Sequence, residues 1–202
     1  MNSISKLLNL ILLASIQFQL QGQEVPRDIL IAQAVAAAPE TFRDGAEVRA
    51  HKKDGGLWTV REGNNEMICI ADIPGDERFA SACYHVSLES FMQRGRELSE
   101  MGLKGMERQE HRWREVDEGK ISMPNAAMVY NLLGEVKNFD STTLHMEEGT
   151  RVHATYIPYA TVESTGLSPE PNQGGPWIMF SGKPSAHIMF SFKGNSEKEQ
   201  HK

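Results

Sequence analysis

An apolar stripe at helical spacing over residues 86–118 constrains this chain more than any other feature. Leu88, Phe91, Met92, Gly95, Leu98, Gly102, Leu103, Met106, Trp113 and Val116 fall on one side when each residue is turned by about 100°. Nearly all the charges fall on the other side, Arg108 among them; Glu110 is the exception. Glu100–Lys104 and Glu110–Arg114 are favourable i,i+4 pairs. Between Arg94 and Lys120 seven acids balance seven bases, so the outer face is neutral overall. A helical segment with one apolar face has to cover something. Gly95 and Gly102 lie on that face and would let the segment sit close on a sheet; equally, Gly102 and Gly105 would break it into two helices.

The flanking sequence supplies the sheet. Glu47–His51, Leu57–Arg61 and Met67–Ala71 are short β-rich runs. The turn residues Asp54-Gly55-Gly56 and Gly63-Asn64-Asn65 separate them, which predicts an antiparallel meander. Asp72 to Ala82 reads as a polar loop. After Gly119 four more strands are expected, over residues 126–133, 151–157, 177–181 and 187–192. The last two carry nearly identical Ile-Met-Phe-Ser runs around Gly182-Lys-Pro-Ser and predict a hairpin. The Gly- and Pro-rich stretch 163–176 reads as a long loop, of the kind that is usually functional or mobile. Pro26 to Ala38 predicts a buried helix: Pro suits the first turn, Asp28 suits the positive end, and Ala favours the interior. Its Ile and Val leave a strand open. The fold class is therefore α+β, a mainly antiparallel sheet covered by an N-terminal helix and the amphipathic segment.

The first 23 residues hold one charged side chain, Lys6, followed by the apolar run Leu7 to Ile16. That is the pattern of a secretory signal peptide, and the run is too short for a membrane span of about 20 residues. Residues 1–22 are read as signal peptide, 23–192 as one domain and 193–202 as a polar tail. An uncleaved anchor or a buried N-terminal helix is the other reading of the same run. After cleavage no integral membrane segment is expected, and the destination is periplasmic or extracellular.

The two cysteines, Cys69 and Cys83, then meet an oxidising compartment and leave no orphan thiol. A structural disulfide is expected. A metal or redox pair is the alternative, but the spacing is not C-x-x-C and matches no zinc pattern. Loss of Lys6 with the signal takes the formal charge from −6 to −7. That argues against nucleic acid as a partner, where a basic face does most of the work.

Little in the chain points to chemistry. No G-x-S-x-G elbow, phosphate loop or dinucleotide fingerprint is present. Asp72, Asp76 and Glu77 flank Pro74-Gly75 and read as a turn. His145 and His153, with His187 on a later strand, are candidate ligands for a divalent transition metal, though the spacing fits no known pattern. Otherwise no cofactor is expected.

Arg61-Glu62-Gly63-Asn64, Cys69, Cys83, the closing Pro176-Trp-Ile-Met-Phe-Ser-Gly182 and His187-Ile-Met-Phe190 resemble an uncharacterised group of small secreted bacterial proteins with a two-cysteine α+β domain. The resemblance implies export and a shared fold, and it transfers no activity. Three functions remain in view. The first is a non-catalytic secreted binding or structural domain. The second is a small metal-dependent hydrolase built on the three histidines. The third is a cell-envelope factor that contacts a protein partner through the outer face of 86–118.

Overall fold

The computed structural model describes residues 25–75, 77–171 and 175–193. The signal peptide expected at 1–22 and the tail beyond Lys193 lie outside the described residues. The fold is α+β, built on one eight-stranded, mostly antiparallel sheet. In chain order the elements are α1 (Arg27–Val35), α2 (Glu40–Arg43), β1 (Glu47–His51), β2 (Leu57–Arg61), β3 (Met67–Ile70) and β4 (Arg78–His85). Then come α3 (Glu89–Glu100), α4 (Gly105–Asp117), β5 (Ala127–Glu135), β6 (Phe139–Asp140), β7 (His145–Met146), β8 (Thr150–Tyr156), α5 (Val162–Thr165), β9 (Trp177–Met179) and β10 (His187–Lys193). The strand order is β2-β1-β3-β4-β5-β8-β10-β9. Strands β6 and β7 form a separate ribbon.

The meander expected over 47–71 is not what forms. β1 pairs antiparallel with β2 but parallel with β3, so β1 lies between them. Five residues, 62–66, carry the chain past the start of β1. The amides of Asn64 and Asn65 donate to the Gly45 carbonyl at 2.8 and 3.1 Å. A Cβ on Gly63 would stand 2.5 Å from the Glu47 amide nitrogen, so only glycine allows so close a crossing. The Arg61 guanidinium fastens the same corner through the carbonyls of Arg43 and Ala46.

The polar loop expected from Asp72 to Ala82 is also replaced. The chain turns at Pro74-Gly75 and runs as β4, which joins β3 to β5. Phe79, Ser81 and Cys83 point to one face, and Ala80, Ala82 and Tyr84 to the other. The Asp72 carboxylate accepts from the Ala80 amide at 2.8 Å and fixes the start of the strand. Cys69 and Cys83 are direct partners across β3 and β4, with Cα atoms 4.0 Å apart, and form the disulfide.

The sheet has two apolar faces. On one, Leu30, Ala34 and Val35 of α1 share a core with Val48, Cys69, Phe79, Cys83 and Leu132. On the other, Ile68, Tyr84, Leu88, Ala127, Val129 and Ala154 cluster, with Met92 of α3 packed against them. The amphipathic segment is two helices, as Gly102 and Gly105 allowed. Both have positive φ, 93° and 52°, which ends α3 and restarts α4. Phe91 and Leu98 are buried as the stripe requires, whereas Met106 is 49% exposed. Arg94 reaches from α3 to grip both Glu115 carboxylate oxygens on α4 at 2.7 Å. The hairpin expected at 177–192 forms from β9 and β10. The loop expected from residue 163 starts with the one-turn α5, closed by a Thr161–Ser164 capping box.

Candidate functional site

The three histidines singled out as metal ligands do not meet. His145 is exposed on β7, in the separate two-stranded ribbon. His153 lies on β8 between the rings of Tyr130 and Phe192. His187, 6% exposed, stacks on Tyr156 with ring centroids 4.6 Å apart. Tyr156 and His153 are three residues apart on one strand and point to opposite faces, so His153 and His187 have the sheet between them. Among the described residues no group of three or more His, Cys, Asp or Glu is placed to hold a metal ion. His187 Nδ1 lies 2.7 Å from the Ser185 carbonyl oxygen and so carries its proton there. Burial lowers the pKa of His153 and of His187, so both rings are neutral at neutral pH.

A cavity of about 680 Å³ opens instead between the sheet and the α3–α4 pair. Its floor is a strip of the sheet in which small side chains replace large ones. Ile70 of β3, Ala80 and Ala82 of β4, Asn131 of β5 and Ala154 of β8 lie there, with Tyr84 and Tyr156 beside them. Met92, Gly95, Arg96 and Ser99 of α3 form one wall, and Arg108, Gln109 and Arg112 of α4 another. His51, Lys52 and the β1–β2 turn make the rim.

The polar groups on these walls differ in how they are satisfied. Arg96 donates to Glu89 at 2.8 Å and to the Tyr84 hydroxyl at 3.2 Å. Glu89 also takes the Tyr84 hydroxyl and Arg49, each at 2.5 Å. Burial above all raises the Tyr84 pKa, which keeps that hydroxyl protonated. Burial also lowers the His51 pKa, with help from Arg96. Glu100, the carboxylate on the cavity wall, accepts from the Gly56 amide at 2.9 Å.

Arg112 is different. It is 6% exposed and has no carboxylate partner among the described residues. Nη1 donates to the Phe91 carbonyl at 3.3 Å, Nη2 donates to Gln109 Oε1, and Nε is buried with no partner. The guanidinium carbon lies over the Phe91 ring, 4.0 Å from its centroid. Burial pulls its pKa down to about 10, which leaves it charged at neutral pH. Neighbouring Arg108 donates to Ser99 Oγ at 2.7 Å, and its own Nε is also buried without a partner.

The helical count places Arg108 with the outer charges. The structure turns it inward because the Gly102–Gly105 break resets the phase of α4 relative to α3. The one sequence signal for this was the glycine pair itself. No protein-family model, curated protein or solved structure matches the chain.

Proposed function

We propose that the protein is a non-catalytic binding domain that works outside the cytoplasmic membrane, with the cavity between the sheet and the α3–α4 pair as its binding site. One observation carries this reading. Ala80, Ala82 and Ala154 lie on a sheet face whose other positions hold Ile68, Tyr84 and Val129, and the helices do not fill the space above them, which leaves Ala80 exposed. Protein interiors are normally close-packed, and an open space of this size with apolar floor and convergent polar groups is the usual form of a ligand site. The hydrolase reading needs histidines that the sheet holds apart. For the partner-contact reading, Arg94 on the helix pair is held by Glu97 and Glu115, while Glu107, Glu110 and Arg114 stay exposed.

Export is part of the same proposal. It rests on Lys6 with the apolar run after it, and on a Cys69–Cys83 bond that persists in oxidising compartments. The chain would then stand with the small secreted two-cysteine proteins it resembles. N-terminal sequencing of exported material should find Met1 absent; Met1 intact on such material would overturn this part.

The cavity is tested with a neutral apolar fluorophore, Nile red. The protein should enhance its emission saturably, and Ala82→Phe, which fills the floor, should abolish that enhancement in a folded variant. Equal enhancement by Ala82→Phe would remove the cavity as the site.

A further inference from the structure

We propose that the ligand is an amphipathic anion, a carboxylate or phosphate head held by Arg112 and Arg108 with its apolar body along the sheet floor. This rests on the cavity being the binding site.

The argument starts from a count of donors. A guanidinium carries five N–H groups in a planar fork. Arg112 spends two, on the Phe91 carbonyl and on Gln109, and its buried Nε spends none. A buried cation without a counter-charge is costly, and the fold provides counter-charges elsewhere. Arg49 and Arg96 share Glu89, and Arg94 has Glu97 and Glu115. At Arg112 the neighbour is instead the neutral amide of Gln109. The second cation on the same wall, Arg108, adds repulsion and another buried, unpartnered Nε. Glu100, on the same wall, accepts from the Gly56 amide at the β1–β2 turn and forms no ion pair with Arg112, whose charge is acted on by burial, Tyr156 and Arg108.

The free protein therefore presents two cations, side by side and partly desolvated, at the edge of an apolar strip. A carboxylate or phosphate oxygen pair matches that fork and relieves the repulsion. The contact with the Phe91 ring holds the Arg112 guanidinium in place before the ligand arrives, which lowers the ordering cost of binding. The floor residues Ile70, Ala80, Ala82 and Ala154 offer no donor or acceptor side chain, and the Asn131 amide nitrogen is taken by the Val152 carbonyl, so the body of the ligand is mainly apolar. The formal net charge of −6 argues against a polyanion such as nucleic acid.

The test is calorimetric titration of the oxidised protein with decanoate, decyl phosphate and decanol, which share a chain and differ in the head. At least one anion should bind about tenfold or more tightly than decanol, the scale of a charged hydrogen bond, and the stronger one identifies the head. Arg112→Met should bring the anions to the decanol level and leave decanol unchanged. Arg108→Met should weaken the anions in the same direction, and it decides the matter if Arg112→Met does not fold. Decanol binding as tightly as both anions, or folded arginine variants with undiminished anion affinity, would overturn the inference. So would Nile red binding with none of the three ligands bound, an outcome that leaves the cavity reading intact. Failure of Nile red as well would remove the cavity reading itself.

Discussion

Gly95 of α3 faces Arg112 of α4 so closely that a Cβ at position 95 would stand 2.8 Å from Arg112 Nη1. The glycine makes the space in which the guanidinium lies. In an exposed helix Gly→Ala gains about 0.5–1 kcal/mol through lower chain entropy. Here the methyl displaces a charged group from its bond to the Phe91 carbonyl. Gly95→Ala should thus change stability by less than about 1 kcal/mol while weakening decanoate binding several-fold. Denaturant titration and calorimetry on the same variant check the two halves.

Arg112→Met should raise stability by about 1–3 kcal/mol, because an unpaired buried charge is exchanged for an apolar chain of similar length. The gain would be read as a higher denaturant midpoint at unchanged slope. A loss would mean that the Phe91 and Gln109 contacts outweigh the desolvation of the charge.

Leu98→Ala should cost about 2–5 kcal/mol, since Leu98 is 1% exposed under α3 and a cavity would remain. Met106→Ala should stay within about 0.5 kcal/mol, since Met106 left the stripe for solvent when α4 changed phase. Equal losses in denaturant would contradict the restart of the helix at Gly105.

Alkylation of the unreduced, denatured protein should label neither Cys69 nor Cys83. Replacing both by Ala should cost about 3 kcal/mol, the chain-entropy value for a loop of this size. Thermal unfolding of the double variant measures it.

The pH dependence follows from three histidines. Burial lowers the pKa of His51, His153 and His187 below the ordinary 6.5. Below that value the unfolded chain takes up protons that the folded one refuses, so stability is complete above pH 6.5 and falls as the pH drops through it. Glu115, held below the ordinary 4.5 first by its bond to Arg94, adds its loss only under 4.5. Between the two values the slope belongs to the histidines, at most about 1.4 kcal/mol per pH unit for each. His187→Asn keeps a donor for the Ser185 carbonyl and should flatten that slope; denaturant midpoints across the window test it.

Much of the fold was legible in the sequence. β1, β2 and β3 were visible as short β-rich runs between Gly turns, and Leu88, Phe91 and Leu98 marked the buried face of α3 because one helix keeps one phase. β4 was not legible. Its positions on the cavity face are Ala80, exposed, and Ala82, half-buried, and small residues with Arg78 and Ser81 do not read as a strand. The parallel β1–β3 pair was hidden for another reason. Residues 62–66 look like a hairpin turn, and their passage past β1 depends on the Gly45 carbonyl far back in the chain. The site was missed most completely. Arginines on a helix face read as solvated, and the inward turn of Arg108 and Arg112 depends on two backbone angles at Gly102 and Gly105. The histidines, which drew attention by type alone, were distributed by strand alternation to opposite faces.

The crossing beside Gly63 also makes a seam. β1–β2 and β3–β4 are each antiparallel pairs of consecutive strands, the second also closed by the Cys69–Cys83 bond. The parallel joint between β1 and β3 is the edge along which these two units meet; the chain links them through residues 62–66, and the disulfide lies within the second unit. Parallel pairing is slightly weaker per residue than antiparallel, and proteins open along cooperative units of this kind well below the free energy of global unfolding. A local opening along this seam should therefore release β1 and β2 together and leave the oxidised β3–β4 unit whole. The Ala71 amide, which bonds to the Arg49 carbonyl at 2.9 Å across the seam, should exchange with solvent deuterium ahead of the amides within β4 and β5.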